Sequence, residues 1–476
     1  MHDIFMELKK NSIYTIEITD MGNEGEGIGH LSLSNAETSG ITVFVKDTVI
    51  GDVAEILIMK AKKSIAYGKL IRLLQPSPYR VEPVCPVARS CGGCSLQHIS
   101  YEKQLEYKWN KVRECLRRIG KIETPECLME PVYGMEHPYH YRNKAQFPVG
   151  RAKDGSIAIG FYAGRTHSII NTDHCAIGAE INDLVIPIIR NFLMEHNIST
   201  YDEASGTGLV RHILTRVGFA TGEIMVCIVI NGKKLPYADK LVAMLTKISG
   251  MTSVCLNINT EKTNRILGPT CQTLWGSPYI TDFIGSVKYQ ISPLSFYQVN
   301  PSQTKVLYDK ALEYAELTGT ETVWDMYCGI GTISLFLAKK AKQVFGVEIV
   351  PQAILDAKKN ADLNDIKNVE FFTGKAEEIV PAIFEKGGPG SHADVVVVDP
   401  PRKGCDKVLL NTLIQMNPKR IVYVSCDPAT LARDIAILAP SGYTLQKVSV
   451  VDQFSHTSHI ESVCLLAKEI PCLSGF

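Results

Sequence analysis

Apolar runs at residues 344–347, 369–372, 395–398 and 421–424 alternate with helical stretches after Ser292. A strand–helix–strand rhythm of this kind calls for a doubly wound parallel sheet with helices on both faces. Such a sheet binds ligands at the carboxyl ends of its strands. Two turns fall there. Asp325-Met326-Tyr327-Cys328-Gly329-Ile330-Gly331-Thr332 is a glycine turn between Thr322-Val323-Trp324 and a helix predicted to begin near Thr332. Ser425-Cys426-Asp427-Pro428 puts a thiol after Ile421-Val422-Tyr423-Val424. One sheet edge thus carries a nucleotide-type cofactor turn and a potential nucleophile, which points to covalent catalysis of group transfer. Two more strand-like runs, at 444–451 and 460–466, close the chain.

The 476 residues suffice for about three domains with well-buried cores. No apolar run approaches the roughly 18 residues of a membrane span. Met1-His2-Asp3-Ile4-Phe5 lacks the basic start of a secretory signal. The expectation is a cytoplasmic protein with no membrane association and no obligate protein partner. Fifty basic residues balance fifty acidic ones, so any nucleic-acid surface must be a local cluster. Fourteen cysteines in a large cytoplasmic chain argue for thiols and metal ligands rather than disulfides.

Five segments are predicted. Residues 4–72 hold several short strands, including those around Ile13-Tyr14-Thr15-Ile16, Ile41-Thr42-Val43 and Val53-Ala54-Glu55-Ile56, with glycines at 22, 25 and 27 breaking the first from the second. Short strands at this density suggest a small barrel of OB type. Lys60, Lys62, Lys63, Lys69 and Arg72 cluster at its end. Taken alone they read first as a solvated face, and second as an RNA-binding groove. Residues 73–100 form an irregular cysteine loop. Residues 101–122 form a connecting helix, with Leu105, Trp109, Val112, Leu116 and Ile119 at helical spacing and a solvated basic face. Residues 123–290 read as an α+β domain with tight turns at Asp154-Gly155 and Thr221-Gly222, and 291–476 as the doubly wound domain.

Gly329-Ile330-Gly331 lacks the third glycine of a dinucleotide fingerprint, since position 334 is serine. Asp325 precedes the turn, and Glu348 ends the next strand, where a carboxylate can accept both ribose hydroxyls. Glycines let the backbone approach a cofactor without phosphate, as S-adenosylmethionine is.

Cys85, Cys91 and Cys94 form a compact thiolate array, and Cys175 is the best candidate for a fourth ligand. Soft thiolates in a tetrahedral set select zinc or an iron–sulfur cluster, and the spacing leaves both open. Cys115, Cys127, Cys227, Cys255, Cys271 and Cys464 read as small core residues.

Together these motifs resemble the RNA 5-methyluridine methyltransferase family, particularly its 23S ribosomal RNA (uracil-5-)-methyltransferases. The resemblance runs over nearly the whole chain. It includes the N-terminal barrel, the cysteine loop, Ser295-Phe296-Tyr297-Gln298-Val299-Asn300, the Asp-Met-Tyr-Cys-Gly turn and Asp399-Pro400-Pro401-Arg402. It ends with Ser425-Cys426-Asp427-Pro428 and Asp452-Gln453-Phe454-Ser455-His456-Thr457-Ser458-His459-Ile460-Glu461. The resemblance implies a Rossmann-like class I methyltransferase domain behind a TRAM-type RNA-binding barrel and a central RNA-recognition domain. It implies a 4Fe–4S cluster on Cys85, Cys91, Cys94 and Cys175, and S-adenosylmethionine contacts from Gln298, Tyr327, Glu348 and Asp399. Cys426 matches the family's nucleophile and Glu461 its general base. Ser455 stands where the family more often has proline, and Tyr297 where it often has phenylalanine. Neither departure touches a catalytic group.

The residues make chemical sense independently. Uracil C5 is a weak nucleophile until a thiolate adds at C6, and a base must later remove the C5 proton so that the cysteine can leave. The helix start after Pro428 is expected to help stabilise the thiolate. A uridine in structured RNA must also be turned out of its stack. Three other readings compete. A transfer-RNA uracil methyltransferase would use the same chemistry. An RNA-binding iron–sulfur sensor without catalysis would not need Cys426 and Glu461. A cytosine-C5 methyltransferase would need a pocket for the base's amino group, for which the sequence offers no signal.

Overall fold

The computed structural model describes residues 8–31, 40–388 and 390–468, arranged as two compact units. Residues 4–7, where the barrel was expected to begin, lie outside the described residues. Among the described residues no helix is long and apolar enough to cross a membrane.

The first unit comprises the chain up to Lys111 together with Tyr162–Ser168 and Phe454–Ser458. Its six-stranded sheet contains the expected strands Ile13–Glu17, Ile41–Val45 and Val53–Ala61. It also contains Asp20–Met21, Gly27–Leu31 and Ile65–Gln75, which the sequence reading did not assign. The two ends of the sheet meet: beyond the first strand the Thr19 N–H donates to Ile28 O at 2.8 Å. A Cβ on Gly29 would come within 2.4 Å of Glu17 O, so this crossing requires glycine. Alternation along Val53–Ala61 turns Ala54, Ile56 and Ile58 into a core with Ile16, Ile18, Val43 and Val45. Lys60, Lys62, Lys63, Lys69 and Arg72 are exposed, as a solvated face requires, and Arg72 pairs with Glu55 at 2.7 Å.

Beyond the barrel, Asp52 is fully buried and anchors the next segment. Its carboxylate accepts from the Ser77 N–H at 2.8 Å and from Arg80 Nη2 at 2.5 Å. The helix Tyr101–Arg118 appears where expected, with Val112 and Leu116 buried. Its basic face is a partial correction. Lys108 is buried, because its Nζ donates to Phe454 O at 2.9 Å and the stem is covered.

The second unit holds the rest. Its central seven-stranded sheet runs in the order Thr270–Gly276, Met251–Ile258, Ile224–Ile230, Val210–Val217, Lys144–Arg151, Ile157–Tyr162, Ile169–Asn171. Helices Asn182–Glu195 and Ala238–Leu245 cover one face around Phe147, Ile186, Ile189, Ile213 and Leu241. This is the α+β arrangement expected from the tight turns. Cys227 and Cys255 are buried as anticipated, and so is Cys464 in the C-terminal sheet, but Cys127 is exposed at the end of a short 3-10 turn.

The C-terminal sheet consists of β1 (Thr322–Met326), β2 (Gln343–Glu348), β3 (Val369–Thr373), β4 (Val395–Val398), β5 (Arg420–Ser425), β6 (Tyr443–Val451) and β7 (Glu461–Lys468). Their spatial order is β3-β2-β1-β4-β5-β7-β6. The first five strands are parallel, and β7 runs antiparallel to both β5 and β6. The doubly wound expectation therefore holds. The order reverses between β1 and β4, which places the topological switch point at the carboxyl end of β1.

Candidate active site

Every candidate of the doubly wound domain lies at that carboxyl edge or on the segment leading to it. Asp325 sits in β1 and Tyr327 directly after it; Glu348 ends β2, Asp399 follows β4 and Cys426 follows β5. Glu461 arrives from the opposite direction as the first residue of β7. Antiparallel pairing of β5 and β7 ends at Ser425 against Ser462, so the next residues outward, Cys426 and Glu461, come to the same sheet edge, where the Glu461 charge acts on Cys426.

The glycine turn is built by conformational necessity. Tyr327, Gly329 and Gly331 have φ of 67°, 56° and 80°, in the left-handed region, and Gly331 caps the helix Thr332–Ala338. The missing third glycine has a physical explanation. Ser334 is buried, and its hydroxyl donates to Asp325 Oδ2. Glu348 braces the turn, accepting the Gly329 N–H at 3.2 Å and the Val350 N–H at 2.9 Å. Tyr327 donates its hydroxyl to Glu377 at 2.8 Å.

Gln298 is delivered by a separate segment. Its backbone oxygen accepts from Asn143 Nδ2 at 3.0 Å, while its side-chain amide has no hydrogen-bond partner among the described residues. Asn300, two residues on, caps the helix Pro301–Ala315 by accepting the Gln303 N–H at 3.3 Å. Its Nδ2 donates to Gln453 O at 3.1 Å, and Gln453 Nε2 donates to Thr304 at 2.8 Å. These two motif residues fix the end of the segment that precedes β7.

The electrostatics of the edge are those of crowded acids. Burial pushes Asp399 up to about 7. Asp325 also rises to about 7, by burial and by the charges of Asp399 and Glu348. Glu461, 5% exposed, is held well above the usual carboxylate range by burial and then by Asp399. Cys426 is pushed up to about 11 by burial first, then by Glu461 and Asp399. The Arg402 guanidinium opposes both the Glu461 and the Cys426 shift.

The sequence reading did not assign Arg402 a role; the signal was the arginine that closes Asp399-Pro400-Pro401-Arg402. It also expected the helix after Pro428 to favour the thiolate. That helix, Pro428–Leu438, is capped by its own Asp427, whose Oδ1 takes the Ala429 and Thr430 N–H groups at 2.9 and 3.1 Å. The first amides thus serve the cap rather than Cys426.

Of the metal candidates, Cys85, Cys91 and Cys94 share one loop of the first unit without regular helix or strand, and Cys175 belongs to the second unit. Cys85 is buried, with its N–H on Gln97 Oε1 at 3.1 Å. The Gly93 N–H donates to Cys91 Sγ at 3.4 Å, a contact that favours a thiolate. Among the described residues no set of three His, Cys, Asp or Glu side chains forms a ready-made metal site.

Comparison with known proteins adds two family models. One described as tRNA (Uracil-5-)-methyltransferase matches residues 284–469, and one described as TRAM domain matches residues 7–71. A Clostridium tetani protein named as an uncharacterised RNA methyltransferase is 50% identical over 460 residues, covering 96% of this chain and 97% of its own. A Bacillus cereus protein of the same description is 48% identical, covering 97% of this chain and 98% of its own. Among solved structures, the Pyrococcus abyssi tRNA (uracil-54, C5)-methyltransferase in complex with S-adenosyl-L-homocysteine superposes with a TM-score of 0.74. It is 28% identical and covers 95% of this chain and 99% of its own.

The charge crowding predicts a thiol that ionises late. Peptide-resolved alkylation of Cys426 by iodoacetamide is expected to show a midpoint near the value of about 11 set by burial, Glu461 and Asp399. Glu461→Gln should lower that midpoint by removing a negative neighbour, and Arg402→Gln should raise it. A wild-type midpoint at or below the ordinary thiol value of about 8.5 would contradict this account.

Proposed function

The chain belongs to the RNA (uracil-5-)-methyltransferase family, and from that premise we propose that it methylates C5 of a uridine in 23S ribosomal RNA with S-adenosylmethionine as methyl donor. The observation that carries this reading is the arrival of Cys426 and Glu461 at the sheet edge that also carries the glycine turn.

The cofactor suits the residues present. Asp399 and Gln298 have side chains without hydrogen-bond partners among the described residues, and Asp325 Oδ1 is buried and unpartnered. Unpaired acceptors at a buried edge are costly until a ligand bearing N–H or O–H groups meets them. Asp399 and Gln298 would take the amino-acid part or base, Glu348 the ribose hydroxyls, and Tyr327 would line the site. Bound there, S-adenosylmethionine supplies an electrophilic methyl group and a sulfonium positive charge.

The chain's own groups do the rest. Cys426 Sγ adds to C6 of the flipped-out uracil, and the C5–C6 electron pair moves to the O4 enolate, making C5 nucleophilic. Arg402 lowers the cost of negative charge beside Cys426 as the thiolate forms. After C5 carries its new substituent, the Glu461 carboxylate accepts the C5 proton. The C5–C6 double bond re-forms as the Cys426–C6 bond breaks and the thiolate leaves. Glu461 must be ionised at that stage, so the crowding that raises its pKa in the empty site also makes it a strong base.

A second reading has a specific observation behind it. The Pyrococcus abyssi relative that covers nearly the whole chain acts, by its name, on transfer RNA, so overall architecture does not separate the two RNA classes. We keep ribosomal RNA as the first reading on the resemblance of the barrel and cysteine loop. We also infer that Cys85, Cys91, Cys94 and Cys175 hold a 4Fe–4S cluster. Support comes from the soft donor set and from the Gly93 N–H at Cys91. Its role in this reading is to brace the loop rather than to take part in the chemistry.

Four outcomes test these readings. Cys426→Ala is expected to abolish turnover and any covalent RNA adduct. Glu461→Gln should lower turnover on the order of 10²-fold or more and accumulate a methylated protein–RNA adduct, seen as a slower band on a denaturing gel. Normal turnover without adduct in Glu461→Gln would remove it from the base role. Position-mapped mass spectrometry of nucleosides from a deletion strain decides between the RNAs: loss of 5-methyluridine from 23S RNA supports the first reading, and loss from transfer RNA the second. Anaerobically purified protein should be brown, with iron and acid-labile sulfide that fall in Cys175→Ala. Zinc without sulfide would refute the cluster.

A further inference from the structure

Three cysteines of the central sheet meet on one face, and the methyl-transfer chemistry uses none of them. In the strand pairing Cys227 lies opposite Cys255, and Asn257, two residues on, lies opposite Cys271. Side chains alternate along a strand, so Cys227, Cys255, Asn257 and Cys271 share one face. The opposite face, with Val226, Ile228, Val254 and Leu256, is committed to the helix-covered core. Cys227, Cys255 and Asn257 are buried. Cys271, expected as a core residue, is only partly buried, because its strand Thr270–Gly276 is an edge of the sheet.

Two donors converge on Cys271. Asn257 Nδ2 donates to Cys271 Sγ at 3.3 Å. That amide is fixed in advance: its Oδ1 accepts the Gly268 N–H at 2.7 Å and its Nδ2 donates to Gly268 O at 2.8 Å. Cys227 makes the second contact, its thiol meeting those of both Cys255 and Cys271. These contacts, together with burial, hold Cys227 well above the ordinary thiol range, so it keeps its proton and donates it. Cys271 moves the other way, down to about 7, because the Cys227 S–H and then the Asn257 amide stabilise its thiolate against partial burial. A thiol whose pKa lies near the ambient pH is best placed to attack a disulfide. A large fraction is ionised, and the sulfur keeps its nucleophilicity.

Strand spacing decides what this thiolate can form. The strand Met251–Ile258 runs between Cys227 and Cys271. Two strand spacings of about 4.8 Å put their Cα atoms roughly 9–10 Å apart. Cys255 is the diagonal neighbour of Cys271, at roughly 7–8 Å. An internal disulfide requires Cα atoms within about 7 Å, closer than either partner. The sheet therefore holds Cys271 as a thiolate without offering it a bridge, and its electrophile has to come from solution.

We propose that Cys271 is a modification site for low-molecular-weight disulfides, with Asn257 and Cys227 as the groups that hold its thiolate. The Cys271 thiolate attacks one sulfur of the reagent RSSR. A bond forms between Cys271 Sγ and that sulfur, the reagent's S–S bond breaks, and RS⁻ leaves with the electron pair and takes a proton from water. Cys271 is thereby oxidised to a mixed disulfide, and the departing half of the reagent is reduced to the thiol RSH. A further small thiol reverses the step. The site does not depend on the reading of the chain as an RNA methyltransferase.

The test treats full-length protein at neutral pH with oxidised glutathione and, separately, with 2-hydroxyethyl disulfide, and reads each cysteine peptide by mass spectrometry. Cys271 should carry the adduct ahead of Cys127, which is exposed but has no hydrogen bond to its sulfur among the described residues. Dithiothreitol should remove it. Iodoacetamide alkylation should place the Cys271 midpoint near about 7. Cys227→Ala should raise that midpoint towards the ordinary thiol value of about 8.5. It should also slow adduct formation at neutral pH about threefold, the loss of thiolate being partly offset by greater nucleophilicity. Cys271→Ser should abolish the adduct and leave methyl transfer unchanged. If Cys227→Ala fails to fold, the wild-type midpoint and the order of modification decide. A wild-type Cys271 midpoint at or above about 8.5, or an adduct on Cys127 before Cys271, overturns the site. A disulfide from Cys271 to Cys227 or Cys255, seen as loss of two hydrogens without adduct, overturns it as well.

Discussion

The carboxyl edge of the C-terminal sheet holds more acids than it can ionise together, and that constraint organises the site. Asp399, Glu461 and Cys426 each raise a neighbour's pKa or have their own raised, and Arg402 stands against them. At an effective dielectric near 20, two charges about 4 Å apart interact by roughly 4 kcal/mol, enough to shift a pKa by about three units. The groups therefore titrate as a set, and the charge state of one is meaningful only with the others specified.

Arg402 must then be held still, and its loop is fastened at several points. Asp434, fully buried, accepts the Cys405 N–H at 2.8 Å and the Tyr423 hydroxyl at 2.6 Å. Arg433 pairs with Asp434 at 2.6 Å and donates to Lys403 O at 3.0 Å, and Thr430 donates to Arg402 O at 3.2 Å. All three anchors lie on the helix Pro428–Leu438 that begins just after Cys426. One helix thus fixes the Cys426 turn and the loop that carries Arg402. Asp434 is fully buried while the Arg433 side chain is 45% exposed, so the hydrogen bonds to the buried carboxylate, more than the ion pair, hold the loop.

What the sequence made legible follows from range. Strand–helix rhythm is a local signal, and it located β1 to β5, the glycine turn and Cys426. The barrel was legible in its alternating strands but not in Gly27–Leu31, where Gly27 looked like part of a break and Gly29 is instead the residue that permits close crossing. Helical spacing found Tyr101–Arg118 but could not tell that Lys108 would be buried, because that depends on Phe454, far along the chain. Arg402 was visible in its motif, yet its effect on Cys426 and Glu461 arises only from the folded arrangement. His212 and Lys144 carried no pattern at all. Both lack hydrogen-bond partners among the described residues, which no sequence displays.

The same distinction explains how Cys426 and Glu461 come to one sheet edge. In a parallel sheet every strand end at the carboxyl edge is followed by a turn into a helix, so consecutive βα units supply cofactor and nucleophile residues but never one directly opposite another. Opposition requires a strand that starts at that edge and runs the other way. β7 does this, and its first residue is Glu461. The chain reaches that point under constraint: Gln453 is tied to Asn300 and Thr304, and the following Phe454–Ser458 folds with the first unit before His459 returns to the second. There the Ser95 and Leu96 N–H groups both donate to His456 O at 3.0 Å. These residues directly follow Cys94, so the loop carrying the thiols and the stretch leading towards Glu461 are bonded through the backbone, whatever the loop binds.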